Sequence, residues 1–448
     1  MRVHCLRSVL VLSISLGFLV PEATRTAEAA NEWPQFRGPA TNGHADATGL
    51  PLEWSEQKNV RWKTAIPGEG HSSPVISGDQ IWLTTAITQT LTEEQQKERL
   101  AKLANSNGLK IAGALTLQAV CVSRQSGKVL QTVDLFLIEE PEPKHSLNSY
   151  ASPTPIIDGQ RVYFHFGTYG TAAVDAESGN VLWRNNEHHV DHQNGPGASP
   201  ALWRDRLIIN YDGIDKQYVA AIETSTGKTL WTTKRSGEMD PKAEFQKAYC
   251  TPTVIEDERG VQVISPGANW VYAYDPESGK ELWKASYGML GFSTVPRPVF
   301  GNGLVFISTS FIRPRLLAVR YDGSGDVTES HVKWHLDGQM PNKPSMLLIG
   351  DELYCAADKG IGFCLDAATG KENWKERLTG NYSASPLFAD GRIYFFSQEG
   401  RTVVIEPGKE FKQLADNQLD SGFMASPAVA GHALFLRTET HLYRIENE

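Results

Sequence analysis

The sequence predicts an all-β fold, an eight-bladed β-propeller in which each blade is a four-stranded antiparallel sheet. Two repeated patterns alternate along the 448 residues and indicate this fold. The first is a short segment of small residues and proline that leads into an apolar, β-rich run. The second is an apolar run, an acidic turn with glycine, and a tryptophan, as in AYDPESGKELW, which ends at Trp283. Because period-two apolar runs on both sides of a glycine turn are typical of paired strands, the two patterns together supply one blade.

The number of copies of the first pattern sets the number of blades. The eight copies begin at His71, Tyr150, Gly197, Tyr249, Phe292, Asn342, Tyr382 and Phe423. The last copy is followed by only three strands, whereas residues 59–67, which include Trp62, form a strand with no such segment before it. We therefore predict that this N-terminal strand completes the eighth blade, which closes the ring and removes a free edge.

The tryptophans of the second pattern recur at one position of the blade. An aromatic side chain of this size is most useful where two sheets meet, which favours packing between neighbouring blades over ligand stacking. The predicted blade-docking residues are Trp62, Trp183, Trp231, Trp283, Trp334 and Trp374.

The first 29 residues have the pattern of a signal peptide. Arg2 and Arg7 precede an apolar stretch at residues 8–20 that is too short to span a membrane, and small residues allow cleavage after Ala29 or after Ala30. Cys5 lies before this stretch, whereas a lipid-anchoring cysteine would follow it. The sequence therefore predicts a soluble exported protein, periplasmic or extracellular, that is not a lipoprotein and has no transmembrane segment.

Two further segments lie outside the repeats. Residues 30–58, with the sequence WPQFRGP near their start, form an arm that is expected to pack along the ring, and residues 59–448 form the propeller. Residues 91–105 predict a helix, capped by Thr92 with Gln95 completing a capping box, between the second and third strands of the first blade. This insertion is either a surface decoration or a lid or partner contact.

Copies of the second pattern such as CLDAATGKENW, ending at Trp374, resemble the tryptophan-docking motif of quinoprotein dehydrogenases and of the wider pyrroloquinoline-quinone-like (PQQ-like) β-propeller family. The resemblance covers roughly residues 59–448 and implies an eight-bladed propeller. That family also contains non-enzymatic members, the BamB-like scaffolds of the outer-membrane barrel assembly machinery, whose propeller binds proteins. The resemblance therefore leaves enzyme and scaffold open.

The cysteines argue against the quinone enzymes. Quinoprotein alcohol dehydrogenases typically close a disulfide between adjacent cysteines over the cofactor, and none of the five cysteines here is adjacent to another. The C-x-x-C-H motif of haem attachment is absent too. No cofactor is expected, and PQQ with calcium belongs to the dehydrogenase alternative only.

One pair of cysteines lies within reach of a disulfide if the turn between them has two residues. With Lys359 and Gly360 as that turn, Cys355 faces Cys364 directly across the two strands. A shift of one residue in the register would separate the two thiols.

Polar side chains collect where connections between blades and turns between second and third strands share one face of the ring. We expect a binding site there. Residues 187–192 carry three histidines that suit zinc, but a solvated loop is the simpler interpretation and no metal site is predicted. The candidate ligand- or partner-binding residues are His71, His145, Asn148, His189, Asp191, His192, Asn194, Lys247, Asn269, Arg297, Arg313 and Lys343. No catalytic residue is predicted.

The sequence thus predicts an exported, monomeric, non-enzymatic propeller that binds a protein or an extracytoplasmic small molecule. A net charge of −9, from 43 basic and 52 acidic residues, argues against a nucleic-acid partner. One alternative is a PQQ-dependent alcohol or sugar dehydrogenase. Another is a carbohydrate-binding module, since tryptophan, histidine and asparagine suit sugars.

Overall fold

A computed structural model describes residues 32–103, 105–289 and 291–448. The predicted signal peptide, with Cys5, lies outside these residues. Among the described residues, no helix has the length and hydrophobicity that crossing a bilayer requires.

The structure confirms the eight-bladed propeller. In blades 1 to 7 the four strands of the antiparallel sheet follow one another in the chain, and the short first strand is innermost; first strands are in contact between blades 1 and 2, 3 and 4, 5 and 6, and 8 and 1. The strands of blades 1 to 4 are Val75–Ser77, Gln80–Thr88, Leu115–Ser123 and Val129–Ile138; Ile156–Asp158, Arg161–His165, Thr171–Asp175 and Val181–Asn185; Ala201–Trp203, Arg206–Asp212, Gln217–Glu223 and Thr229–Lys234; and Thr253–Asp257, Gly260–Pro266, Trp270–Tyr274 and Glu281–Ser286. Those of blades 5 to 7 are Val299–Gly301, Leu304–Ser308, Arg315–Arg320 and Val332–Asp337; Leu347–Ile349, Glu352–Ala357, Ile361–Asp366 and Glu372–Arg377; and Leu387–Ala389, Arg392–Phe396, Arg401–Glu406 and Lys412–Gln418.

Blade 8 joins the two ends of the described chain, as predicted. Its first three strands are Ala428–Ala430, Ala433–Arg437 and His441–Ile445, and its outermost strand is Val60–Ala65. The outermost strand runs antiparallel to its neighbour, with Ala65 opposite His441. The ring is thus closed by a strand from the N-terminal side of the propeller.

The arm before this strand lies in the central channel. Trp33 exchanges two backbone hydrogen bonds with Ile76 of blade 1, at 2.9 and 2.8 Å. Further along, His44–Ala45 adds a fifth strand, parallel to Leu387–Ala389, on the inner edge of blade 7. Residues 33–45 of the arm follow inner strands, because the free edges of these strands offer backbone hydrogen bonds and apolar surface there.

Two α-helices and two short 3₁₀-helices decorate the ring. Helix α1, Glu93–Leu100, begins at Thr92 and has the predicted capping box with Gln95. It lies between the second and third strands of blade 1, as expected, but it is shorter than residues 91–105, since its cap at Ala101 is followed by turns. The other helices are α2, Thr328–His331, and the 3₁₀-helices Gly167–Tyr169 and Ala243–Phe245. Three short strands, Leu109–Lys110, Lys144–His145 and Gly325–Asp326, complete the structure.

Five of the six predicted docking tryptophans reach the following blade with the indole N–H. Trp183, for example, donates to the backbone oxygen of Thr224 at 2.9 Å, and its ring lies against Gly227. A side chain at Gly227 would overlap that ring, which explains the glycine of the second pattern. The corresponding indole acceptors are the backbone oxygens of Arg124 for Trp62, Pro276 for Trp231, Ala367 for Trp334 and Gly408 for Trp374. Trp283 differs, since its indole donates to the side chain of Gln262 in its own blade.

The predicted disulfide between Cys355 and Cys364 is wrong. The turn has three residues, 358–360, so Ala357 pairs with Ile361 and Cys355 faces Phe363. This one-residue shift places the two cysteines on opposite faces of the sheet, because side chains alternate along a strand. Both are buried free cysteines, as are Cys121 and Cys250.

Candidate functional site

A cleft of about 580 Å³ opens on the face that carries the connections between blades. It lies between the insertion of blade 1 and the connections that lead into blades 3 to 6. Residues that line it include His145, Asn148, Asn194, Lys247, Phe292, Phe311, Ile312 and Lys343. The expectation that connections from separate blades meet at one end of the ring therefore holds for this set.

One side of the cleft is aromatic. The rings of Phe245 and Phe292 are 4.6 Å apart, and Phe311 meets Phe292 edge-on at 6.2 Å. Phe311 and its neighbour Ile312 remain 63% and 56% exposed. Leu147, half exposed, lies on the wall formed by blade 1. We call Leu147, Phe245, Phe292, Phe311 and Ile312 the apolar rim.

The exposed tip of the apolar rim has an unusual backbone. Phe311 and Ile312 have φ angles of 44° and 66°, in the left-handed region that costs an L-residue about 1–2 kcal/mol. A β-branched residue such as isoleucine is a rare occupant of this region. The turn between the second and third strands of blade 5 thus holds two large apolar side chains outward, at some cost in conformational energy.

The other side of the cleft is basic. The Lys247 ammonium donates to the side-chain oxygen of Gln193 and, at 2.8 Å, to the backbone oxygen of Glu244. Burial lowers its pKa to about 8, opposed by the carboxylates of Glu244 and Asp191. Both hydrogen-bond acceptors are uncharged amide oxygens, so they do not neutralise the positive charge of Lys247. At neutral pH this charge is available to a ligand.

Lys343 and His145 complete the basic side. The Lys343 ammonium lies 3.1 Å from a carboxylate oxygen of Asp358, which also accepts from the backbone N–H of Asn342 at 2.9 Å. Burial lowers the pKa of His145, and the positive charges of Lys343 and Lys144 lower it further. His145 is therefore a neutral hydrogen-bonding group at pH 7.

Below the cleft, a chamber of about 150 Å³ lies on the axis of the ring. Half of the residues that line it are serines and threonines, with His71 and Lys343 beside them and Phe36 of the arm also in the wall. Burial, helped by Arg437 and Lys144, lowers the pKa of His71 to about 3, so this imidazole is neutral at pH 7. Asn148 and Lys343 line both cavities, which are therefore adjacent.

The structure brings six of the twelve predicted residues to these cavities, namely His71, His145, Asn148, Asn194, Lys247 and Lys343. The other six lie elsewhere. His192 is buried, and its Nε2 accepts from the backbone N–H of Thr168 at 3.1 Å. Asn269 is buried too and donates to the backbone oxygen of Gly288 at 3.1 Å. Arg297 is buried and donates to the arm, at 2.7 Å from the backbone oxygen of Phe36.

The remaining three predicted residues are on surface loops outside the cavity linings. Arg313 is exposed on the same turn as Phe311, and His189 is exposed near Thr168. Asp191 accepts from the backbone N–H of Gln193 at 2.8 Å, which shapes its own loop. Within the part of the chain that the structure describes, no group of three or more histidine, cysteine, aspartate or glutamate residues is arranged to hold a metal ion.

Sequence reasoning missed the apolar rim and the ring of hydroxyls. The hydroxyls are visible in the sequence as the serine or threonine before proline in the first pattern. That pattern, however, indicates only where a strand begins. The apolar rim gave no such signal, because Phe311 and Ile312 follow a strand and continue its apolar run.

The fold and site define a class of protein, an eight-bladed propeller with a cleft at one end of its channel. The profile of a family described as outer membrane protein assembly factor BamB matches residues 45–186, 103–265, 171–333 and 215–448. The chain belongs to this family.

Curated relatives include two kinds of protein. Quinohemoprotein alcohol dehydrogenase ADH-IIG of Pseudomonas putida is 26% identical over 165 residues, 34% of this chain and 21% of that protein. Outer membrane protein assembly factor BamB of Legionella pneumophila (strain Paris) is 22% identical over 202 residues, 43% of this chain and 49% of that protein. The matches thus span about a fifth and about half of the lengths of these relatives.

Solved structures of both kinds share the fold. A europium-containing methanol dehydrogenase has a TM-score of 0.64 at 10% identity, covering 93% of this chain and 90% of that one. BamB from Moraxella catarrhalis has a TM-score of 0.58 at 11% identity, covering 87% and 97%. Quinohemoprotein alcohol dehydrogenase from Comamonas testosteroni has a TM-score of 0.64 at 11% identity, covering 96% and 83%. At these identities the likeness concerns the fold alone.

Proposed function

We propose that this protein is an exported, non-enzymatic scaffold that binds a polypeptide segment in the cleft. The segment carries a large apolar side chain next to acidic residues. The observation that carries the proposal is the juxtaposition of the apolar rim with Lys247 and Lys343 across one cleft. Membership in the BamB family supports a protein partner and a periplasmic location.

The apolar rim supports a macromolecular partner. Large apolar side chains that stand exposed around a concavity mark interaction sites more often than scattered ones do. Phe311 comes from blade 5 and Leu147 from the connection between blades 1 and 2, so they lie on different walls of the cleft. An aromatic or aliphatic side chain inserted between them would lose its contact with water and pack against the ring of Phe292.

The basic side supports the choice of an acidic segment. The chain as a whole has a net charge of −9, which repels an acidic partner. Such a partner is therefore attracted only where cations are locally concentrated. Among the described residues, Lys247 has no carboxylate within ion-pair distance, and Lys343 shares its charge with one, Asp358. A carboxylate of the partner would therefore find a charge-assisted hydrogen bond at Lys247.

The residues present do not fit a calcium–quinone pair. Calcium takes six to eight oxygen ligands and favours carboxylates, whereas the residues that line the axial chamber include neither aspartate nor glutamate. In the cleft the carboxylates are Glu244 and Asp358, and Asp358 is already bound by Lys343. No tryptophan lines either cavity to stack on a flat cofactor. This donor set supports binding rather than quinone chemistry.

The proposal can be tested with labelled peptides and fluorescence anisotropy. We expect a peptide with an Asp-Phe-Asp core to bind more tightly than peptides with Lys-Phe-Lys or Asp-Ser-Asp cores. The double variant Phe311→Ser, Ile312→Ser should weaken binding by about tenfold or more, because loss of a buried aromatic contact costs on the order of 2 kcal/mol. Leu182→Ser is the matched control, since Leu182 is 46% exposed on the outer strand of blade 2. Equal affinity for all three peptides, or quinone- and calcium-dependent dye reduction with an alcohol or sugar, would overturn the proposal.

The titration of Lys247 predicts a dependence of peptide binding on pH. Its pKa of about 8 lies below the usual value for lysine, so its positive charge is present at pH 7 and is lost as the pH rises to 9. Glu244 and Asp191 are the acidic groups that act on the Lys247 ammonium. We expect the Asp-Phe-Asp peptide to bind several-fold more weakly at pH 9, which corresponds to about 1 kcal/mol. Lys247→Arg, which stays charged, should remove this dependence; an equal loss in that variant would contradict the assignment to Lys247.

A further inference from the structure

One position recurs in all eight blades, two residues before the innermost strand. In seven blades it holds a serine or a threonine, and in blade 5 it holds an arginine. The eight residues are Ser73, Thr154, Ser199, Thr251, Arg297, Ser345, Ser385 and Ser426. All seven hydroxyl residues line the axial chamber, so they form one ring around the axis. We call these seven the hydroxyl ring.

Most of the hydroxyl ring is oriented by the backbone of the preceding blade. In six places the N–H at this position donates to the hydroxyl oxygen at the same position of the next blade. The donor and acceptor pairs are Ser73 and Thr154 (3.0 Å), Thr154 and Ser199 (2.9 Å), Ser199 and Thr251 (3.0 Å), Arg297 and Ser345 (2.9 Å), Ser345 and Ser385 (3.0 Å), and Ser385 and Ser426 (2.9 Å). Each of these oxygens has thus accepted a hydrogen bond, and its own O–H is left to donate.

These O–H groups have no acceptor of their own among the described residues. A serine or threonine hydroxyl has one donor and two acceptor sites, and buried polar groups normally find partners. Six donors without a protein acceptor therefore surround a chamber of about 150 Å³. At about 30 Å³ for one water molecule, this volume holds a tetrahedral or planar oxyanion with a few waters.

Two buried cations lie behind the chamber wall: Arg297 holds the ring position in blade 5, and Arg37 follows the lining residue Phe36 in the arm. Arg297 is fully buried and donates to the hydroxyl of Thr253 at 3.3 Å and to the backbone oxygen of Phe36. The neighbouring Arg37 of the arm is also buried and donates to the backbone oxygens of Asn42 and Met346. Neither guanidinium has a carboxylate partner in the described part of the chain, whereas buried charges are usually paired. Burial lowers the pKa of Arg37 to about 9 and that of Arg297 to about 10, so both stay charged at pH 7.

We propose that the axial chamber is an oxyanion site, in which the hydroxyl ring donates hydrogen bonds and Arg297 with Arg37 supplies the compensating charge. The ligand is either an inorganic oxyanion such as phosphate or the carboxylate of an organic molecule that enters through the cleft. His71 is neutral at pH 7 and offers the bound anion a further hydrogen bond. The site stands independently of the peptide that the cleft is proposed to bind.

Calorimetric titration of the full chain at pH 7 and fixed ionic strength tests the site, with inorganic phosphate and acetate as probes and chloride as the background salt. We expect saturable binding of one anion per chain with a dissociation constant near about 1 mM or below, the range of a few charge-assisted hydrogen bonds. Phosphate binding that acetate does not displace indicates an inorganic ligand, and displacement by acetate indicates a carboxylate. No saturable binding of either probe up to about 20 mM would overturn the proposal.

Arg297→Ser is the decisive variant, because it gives blade 5 the residue type that the other seven blades carry. The new hydroxyl can accept from the backbone N–H of Thr251, as the rest of the ring does, so we expect the variant to fold. It should bind the probe about tenfold more weakly, whereas Arg259→Ser on an exposed turn of blade 4 should bind as the natural chain does. Unchanged affinity in Arg297→Ser would overturn the proposal.

A second measurement remains if Arg297→Ser does not fold. In crystals of the natural chain soaked in selenate, anomalous scattering should place the anion inside the hydroxyl ring, and a peak only on the surface would overturn the proposal. The double variant Phe311→Ser, Ile312→Ser should keep its anion affinity. Failure of the peptide site and failure of the anion site are thereby distinguishable.

Discussion

A chain that begins at residue 68 should fail to form a stable ring and should aggregate on purification. It lacks the outermost strand of blade 8, Val60–Ala65, so the strand His441–Ile445 is left with a free edge of unpaired N–H and C=O groups. Five residue pairs of the ladder disappear with the strand. At about 1 kcal/mol for each hydrogen bond, the loss is on the order of 5 kcal/mol, comparable to the whole stability of many domains. Light scattering and thermal unfolding followed by circular dichroism measure both effects.

The two chain ends offer a matched control for this prediction. Glu446 donates a backbone hydrogen bond to the oxygen of Asn59 at 2.9 Å, so the missing strand can follow the C-terminus through a short turn. A chain that begins at residue 68 and carries residues 59–67 after Glu448 should recover the melting temperature of a chain that begins at residue 59; both lack the arm, as does the chain that begins at residue 68, so the comparison isolates the closing strand. If it does not, closure by this strand is not what stabilises blade 8.

The architecture could be predicted from the sequence because each repeat encodes its own strand pairing. Strands that follow one another in the chain are neighbours in the sheet, so a turn such as ESGK before Trp283 fixes both the strands and their order. The glycine against Trp183 and the capping box of α1 are local devices of the same kind. The one register that failed, at Cys355 and Cys364, depended on whether a turn has two or three residues, which these residue types do not decide.

The candidate site could be predicted only in part, because its residues come from connections whose course depends on distant contacts. Lys247 and Asn194 were found from their place before a strand, and both line the cleft. His192 and Asn269 were also singled out from the sequence, yet their side chains hold backbone groups of neighbouring loops. The role of Arg297 became visible only once the arm was located, since its partner is the backbone of Phe36.

The arm also leads to a prediction that differs from the one the sequence favours. Its interpretation as a segment along the ring implies that deletion of residues 30–58 is milder than deletion through residue 67, which also removes the closing strand. In the structure, however, Trp33 and Trp54 are 2% and 3% exposed in the apolar core formed by blades 1, 7 and 8. Arg37 of the arm donates to the backbone oxygen of Met346, which precedes the first strand of blade 6, and Arg297, which precedes the first strand of blade 5, donates to Phe36 of the arm. The arm therefore connects blades 5 and 6 with blades 1, 7 and 8 on the opposite side of the channel.

A chain that begins at residue 59 should therefore be strongly destabilised although its ring can close. Deletion leaves a cavity beside the inner strands where Trp33 and Trp54 were, and truncation of one buried aromatic side chain costs about 3–5 kcal/mol. Trp54→Ala alone, which removes the stacking on Tyr394 at 6.3 Å, should lower the free energy of unfolding by about 3 kcal/mol in urea. Leu52→Ala is the control in the same segment, since Leu52 is 36% exposed, and it should cost less than about 1 kcal/mol. Equal free energies of unfolding for the Trp54 and Leu52 variants would show that the arm does not stabilise the ring. A segment that holds the strands together cannot lose a large buried contact without a loss of stability.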